Sequence, residues 1–210
     1  PVNNFVYADV HGEYGYRYRG RIPVRPMANA WAPVPGWTDA HEWHGQIPFE
    51  ELPRSRNPEA GFVVTCNNAP TSADYPWYIN TYFAPDFRAR RVTARLQALS
   101  APVSVADMAA VHADRVSIPA QIFIARLANL EPEDRAVSAA RDILLQWDCQ
   151  MDRESAAAAL YGAARVFLLA DVIKAALGPM AGEVTPTNRG AGTHAGQLYA
   201  EAIRAMATDD

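Results

Sequence analysis

Alternating side chains open the chain. Phe5-Val6-Tyr7-Ala8-Asp9-Val10 and Tyr14-Gly15-Tyr16-Arg17-Tyr18-Arg19 read as two strands joined by His11-Gly12-Glu13, a short glycine-bearing link of the hairpin kind. In the second run Tyr14, Tyr16 and Tyr18 share one face and Gly15, Arg17 and Arg19 the other, which predicts a packed tyrosine face and a solvated arginine face. From Arg21 to Pro58 the periodicity disappears. Prolines in Arg21-Ile22-Pro23, Ala32-Pro33-Val34-Pro35 and Leu52-Pro53 fix their own φ and restrict the residue before them, so the segment predicts an ordered, extended loop system. Trp31, Trp37, Trp43 and Phe49 give that loop large apolar areas for packing, and it is expected to cover one end of the sheet. A β-branched run, Phe62-Val63-Val64-Thr65, then has the composition of a buried strand, ended abruptly by Cys66-Asn67-Asn68-Ala69-Pro70.

After an aromatic loop through Asp86 the period changes. Val92, Leu96 and Leu99 recur at helical spacing behind Arg88-Ala89-Arg90-Arg91. Three arginines in a first helical turn oppose the helix dipole; they are either solvated or held by a partner, such as the loop at Asn67. Ser104-Val105-Ala106-Asp107 has the form of a capping box for a short helix through Val111, and Pro119 fits the first turn of a helix reaching Leu127. Acidic residues at Glu131 to Asp134 precede a helix whose Val137, Ile143, Leu144 and Trp147 are expected to be buried. Ala156 to Leu177, stopped by Gly178-Pro179, is the longest predicted helix, with Leu160, Phe167, Leu168, Val172 and Ile173 as its core positions. A loop over Gly182 to Gly196 and a last helix from about His194 to Met206 complete the chain. The fold class is α+β, with a strand and loop region over 1–87 and a mainly helical region over 88–210.

Composition narrows the partners. Half of the 210 residues are hydrophobic, enough for a sizeable core, and a net charge of −4 gives no general attraction to phosphate backbones. Nucleic acid is therefore not an expected partner. The longest apolar run, about Val166 to Leu177, is interrupted by Asp171 and Lys174, so no membrane span is predicted. Cys66 and Cys149 match no metal-ligand spacing and leave both pairing and free thiols open. His41-Glu42-Trp43-His44 lacks the helical His-Glu-x-x-His spacing and reads as solvated loop, with no metal assigned. Pro1-Val2-Asn3-Asn4 has neither an initiating Met nor the charged and apolar regions of a signal peptide, and the expectation is a cut inside a longer protein.

The paired amides carry the most specific chemistry. Side chains at the end of a strand are positioned by a sheet yet open to a ligand, and a primary amide donates hydrogen bonds without charge, as stabilising an oxyanion requires. Asn67 and Asn68 equally suit a plain turn, since asparagine accepts left-handed backbone angles and bonds its own main chain.

Many short motifs, in order and at close spacing, give the chain a family. Asn4-Phe5-Val6-Tyr7-Ala8-Asp9-Val10-His11-Gly12, Pro33-Val34-Pro35-Gly36, Glu42-Trp43-His44-Gly45, Ile47-Pro48-Phe49-Glu50-Glu51-Leu52-Pro53, Gly61-Phe62-Val63-Val64, Asn67-Asn68 and Trp147-Asp148-Cys149-Gln150-Met151-Asp152 strongly resemble the β subunit of the penicillin acylase family. These are N-terminal-nucleophile amidohydrolases of layered αββα fold, including cephalosporin and acyl-homoserine-lactone acylases. The resemblance implies cleavage of the acyl side-chain amide of β-lactam antibiotics or of N-acyl compounds, by a serine at the exposed N-terminus of the β subunit whose own α-amine is the base. It implies that Asn67 donates to the tetrahedral oxyanion and that a downstream arginine supports it; register places that arginine at Arg91, with Arg90 as the second choice.

Departures from the family pattern set further expectations. Pro1 cannot act as the serine, whose position precedes Asn4, so the chain is expected to be an internal piece of the β subunit, inactive alone. Its implied partners are the remainder of the β subunit, the α subunit and a small-molecule amide substrate. A structural calcium belongs to the full-length enzyme, and since Tyr78 replaces an expected carboxylate, no cofactor is assigned to these residues. Cys149 stands where the family commonly has Gly, which bears on the local turn. Relatives imply a periplasmic or secreted full-length protein. The competing function class is a binding or assembly module on the same scaffold without hydrolysis. A piece of a two-chain enzyme would also bare sheet edges and apolar faces, predicting self-association or absent partners there.

Overall fold

The hairpin forms as the alternation predicts, its first strand set two residues nearer the N-terminus than expected. In the computed structural model, which describes residues 3–30, 32–184, 199 and 201–206, β1 spans Asn3–Ala8 and β2 spans Tyr14–Arg19. They pair antiparallel with Val6 opposite Tyr16 and Ala8 opposite Tyr14. Asp9 closes the turn: its Oδ1 accepts from the backbone N–H of His11 and of Glu13, both at 2.9 Å, and Gly12 supplies a φ of 86°. Val10 therefore leaves the strand and is 95% exposed.

A third strand, β3 (Arg54–Arg56), adds to the other side of β2. Sequence reading missed it because Arg54-Ser55-Arg56 has no apolar alternation and lies among prolines. It is held from outside the ladder: Asn57, at φ 45°, exchanges hydrogen bonds with the backbone of Tyr14, its Oδ1 accepting from the Tyr14 N–H at 2.9 Å and its N–H donating to the Tyr14 carbonyl at 2.8 Å. Gly15 is buried where β2 meets β3, and a Cβ there would lie 2.2 Å from the Ser55 carbonyl oxygen.

The tyrosine face packs as expected, and burial pushes the Tyr16 and Tyr18 phenols above their ordinary pKa, keeping them neutral donors. The Tyr14 hydroxyl donates to the Pro58 carbonyl at 3.0 Å and the Tyr16 hydroxyl to that of Pro70 at 3.3 Å. The arginine face differs from expectation. The Arg17 guanidinium lies 3.7 Å from the centre of the Phe49 ring and donates to the Phe49 carbonyl at 2.7 Å, so it clamps the loop instead of facing water.

The proline-rich loop supplies the core of this first unit. Ile22, Ile47 and Leu52 are buried together, with Tyr18, Val24, Trp77 and Ile79 packed against them. An antiparallel bridge between Pro23 and Gln46, with the Ile47 N–H donating to the Ile22 carbonyl at 2.9 Å, sets two of those side chains side by side. Burying each aliphatic stabilises by about 1.5–3 kcal/mol. Trp77 also donates to the Glu51 carboxylate at 2.6 Å. Trp37 and Trp43, expected to pack, are 86% and 64% exposed. Phe62 to Thr65 is half-buried but joins no ladder among the described residues; a β-branched run becomes a strand only where another backbone pairs with it. The unit extends through Ala98, so α1 (Phe87–Gln97) belongs to it although helix begins where the strand and loop composition ends.

The second unit, from Leu99 on, is helical and well capped. Ser104 and Asp107 make the predicted capping box on α2 (Val105–His112), and Ser117 caps α3 (Ile118–Leu127) with Pro119 in its first turn. Asp134 accepts from the N–H groups of Ala136 at 2.8 Å and Val137 at 3.0 Å at the start of α4 (Arg135–Leu145). Asp134→Ala is expected to cost about 1 kcal/mol, more than a surface alanine elsewhere, as a drop in the urea midpoint. Ser155 caps α5 (Ala156–Leu177), which Gly178 stops at φ 51°.

The core of this unit takes only part of the expected face of α5: Ile173 is buried and Leu160 and Leu168 are half-buried. Ala158, Tyr161, Leu169 and Ile173 are buried, whereas Phe167 is 70% exposed and Val172 38%. Of the predicted α4 face, Leu144 is buried and Trp147 half-buried, while Val137 and Ile143 stand about half exposed. Apolar residues surround α5, so spacing alone did not select the side that packs there. Tyr161 centres the core, its ring 5.6 Å from Phe123 and 5.5 Å from Trp147, with its hydroxyl 2.7 Å from that of Tyr199. Cys149 is buried at φ 62°, a left-handed geometry that glycine adopts more readily, and its carbonyl accepts from Ser117 N–H at 2.9 Å.

By length and composition alone Ala156–Met180 matches a membrane crossing, which Asp171 and Lys174 had argued against; part of it is core helix here. Past Gly178 the chain is helical again at α6 (Ala181–Val184), where a loop was expected. The remainder of that expected loop, 185–196, lies outside the described residues. Residues 199 and 201–206 are helical with Tyr199 and Ile203 buried, while the start of the predicted last helix, 194–198, also lies outside them.

Candidate functional site

The two amides divide the work at the end of the extended run. Asn68 behaves as a turn residue: its Oδ1 accepts from the Cys66 N–H and its Nδ2 donates to the Ala69 carbonyl, both at 3.2 Å. Asn67 carries the left-handed backbone, at φ 62°, and its carbonyl accepts from the Ala84 N–H at 2.8 Å. The two traits of a turn asparagine, main-chain bonding and left-handed backbone, thus fall on different residues.

A guanidinium from the first turn of α1 completes the arrangement. Arg88 Nη2 donates to the Cys66 carbonyl at 2.6 Å and to Asn67 Oδ1 at 3.1 Å. These acceptors explain a cation at a helix N-terminus, where the dipole is unfavourable. Arg88 makes this bond; Arg91, which the resemblance puts first in the supporting role, and Arg90, its second choice, lie on the same helix, Arg91 three residues on and on the same side. The missing signal is the reach from α1 back to residue 66, which depends on the path of the aromatic loop between them.

Fixing Oδ1 orients the whole amide, because the Asn67 carboxamide is planar. Its Nδ2 has no hydrogen-bond partner among the described residues, and the side chain is exposed. A cation on the amide oxygen also polarises the group and strengthens its N–H bonds as donors. Chemically this is an uncharged, oriented donor available to an anionic oxygen. Tyr16, held neutral by burial, ties the far side of the turn through Pro70.

At Tyr78, where the resemblance has a carboxylate, the side chains are engaged with one another. The Tyr78 hydroxyl is engaged with Thr81 Oγ1 at 2.6 Å, and the Arg25 guanidinium lies 5.6 Å from the centre of its ring, a cation where a second cation would be repelled. Among the described residues no three His, Cys, Asp or Glu side chains converge as metal ligands.

Comparison with known proteins places this geometry. The family model described as penicillin amidase matches residues 1–209. Penicillin acylase 2 proenzyme of a Pseudomonas species is 42% identical over 164 residues, covering 78% of this chain and 21% of that protein. Penicillin G acylase of Escherichia coli is 42% identical over 74 residues, covering 35% of this chain and 8% of its own length. Acyl-homoserine lactone acylase QuiP of Pseudomonas aeruginosa is 27% identical over 179 residues, covering 76% of this chain and 20% of that protein. The chain thus spans about a fifth or less of the length of these curated relatives. A solved thermostable penicillin G acylase from Alcaligenes faecalis superposes with a TM-score of 0.62 at 20% identity over 97% of this chain and 45% of its own, a likeness of fold that matches the α+β reading, with helices gathered in the C-terminal half. With a family match running almost from end to end, this chain belongs to the penicillin amidase family.

Proposed function

We propose that this chain is the part of an N-terminal-nucleophile amidohydrolase that supplies the side-chain donor of the oxyanion hole, Asn67, with Arg88 as the guanidinium that orients it. The observation carrying this reading is the Asn67 amide itself: exposed, anchored through Oδ1 to Arg88 and unpartnered at Nδ2 among the described residues. In the reaction the serine oxygen adds to the substrate amide carbonyl while its proton passes to the α-amine. Charge gathers on the former carbonyl oxygen, and Asn67 Nδ2 donates to it. Collapse expels the amine with that proton, leaving an ester that water hydrolyses. Serine, base and the acyl pocket come from residues outside this chain, and no cofactor is drawn from these residues.

The named relatives support small N-acyl compounds as the substrate class, either the acyl side-chain amide of β-lactams or acyl-homoserine lactones. A binding module without hydrolysis has no evident use for an arginine-held amide left open. The test compares two proteins on phenylacetyl and fatty-acyl amide substrates. The 210-residue chain alone is expected to leave both intact, and the full-length polypeptide carrying it to release free acid from at least one. Turnover by the chain alone, or none by a processed full-length protein across both substrate sets, would refute the assignment.

A further inference from the structure

We infer that Asn68 is a positioning residue for the oxyanion donor, acting through Asn67 and touching no substrate. The inference rests on the proposed role of Asn67. Cys66, the residue before Asn67, is held at both of its backbone groups: its N–H donates to Asn68 Oδ1 at 3.2 Å, and its carbonyl accepts from Arg88 at 2.6 Å. On the other side, Asn68 Nδ2 donates to the Ala69 carbonyl, and the Asn67 carbonyl accepts from Ala84 N–H. Asn68 thereby reaches back across Asn67, bonding the Cys66 N–H and the Ala69 carbonyl with one planar group. That brace opposes relaxation of Asn67 from φ 62°, a region that asparagine tolerates better than most side-chain-bearing residues but that still favours glycine. Were φ to relax, the amide would swing out of reach of Arg88, and the donor would lose its direction rather than its chemistry.

The brace makes the two asparagines interdependent in a specific way. In the full-length acylase carrying this segment, Asn68→Ala is expected to lower kcat about ten- to a hundredfold with KM within twofold, as misplacing a catalytic group does. The amount of enzyme titratable by a sulfonyl fluoride at the serine should stay unchanged. Asn68→Asp keeps the acceptor for Cys66 N–H and is expected to recover most of kcat. In an Asn67→Gly background, Asn68→Ala should cost nothing further in kcat, because there is no amide left to aim. That background also removes the backbone cost at position 67, so it remains measurable if the single alanine variant folds poorly. Full kcat in Asn68→Ala, or an equal loss from it in the Asn67→Gly background, overturns the inference. Full kcat in Asn67→Gly itself instead overturns the proposed function, which separates the two failures.

Discussion

Asn67→Gly in the full-length acylase is expected to lower kcat by about 10²–10³-fold, the loss of about 2.7–4 kcal/mol that follows removal of one oxyanion donor. Glycine is the informative choice. At φ 62° it removes the amide while easing the backbone, so a fall in activity cannot be assigned to strain. Asn67→Ala should lose kcat to the same extent and be less stable than Asn67→Gly by about 1–2 kcal/mol, because alanine keeps the Cβ that left-handed geometry disfavours. Asn67→Asp keeps the shape and strengthens the pairing with Arg88, yet sets a carboxylate against a developing negative charge and has no N–H to give. It should therefore be at least as inactive as the glycine variant. Steady-state kinetics with serine titration, which counts correctly processed enzyme, measures all three. Equal kcat in wild type and Asn67→Gly would remove the donor role.

Gly15→Ala is expected to be the most damaging small substitution in the first unit, costing about 3 kcal/mol or more. The added methyl would meet the Ser55 carbonyl oxygen at 2.2 Å and the Tyr7 hydroxyl at 2.9 Å. One of these is backbone and belongs to the strand paired with β2, so relief requires β3 to move away and its ladder bonds to lengthen. Tyr7 can rotate; Ser55 cannot retreat without carrying Arg54 and Arg56. Gly36→Ala is the matched control, since nothing lies within 4 Å of a Cβ there and its φ is ordinary. Denaturant midpoints should separate the two variants, and hydrogen exchange of the β2 and β3 amides should rise only in Gly15→Ala. Comparable midpoints would mean that β3 is not held in this register.

What the sequence made readable was local. The capping box at Ser104 announced itself because it acts within a turn of the chain, where residue type and spacing contain the whole interaction. The hairpin was readable for the same reason, its turn closed by Asp9 on neighbours two and four residues away. Contacts across loops were hidden. β3 consists of residues with no strand character and forms because β2 offers an edge and Asn57 fixes the approach. Phe62 to Thr65 has strand character and gains no ladder for want of an edge among the described residues. The candidate site falls between these cases. Asn67 stood out by chemistry and position, and an arginine behind it was foreseen on α1, but choosing among Arg88, Arg90 and Arg91 required the path of the intervening loop. On α5 the surplus of apolar residues concealed which side would pack, leaving Phe167 outside and Tyr161 at the centre.

The hydroxyl pair of Tyr161 and Tyr199 sets a boundary for anyone trimming this polypeptide. A version ending ahead of position 199 would take from the buried Tyr161 phenol its 2.7 Å partner, and would also take away the Met206 carbonyl that receives Arg126. The final helical segment is thus no dispensable appendage but the lid on the second unit's interior, and shortened variants should be designed to retain it.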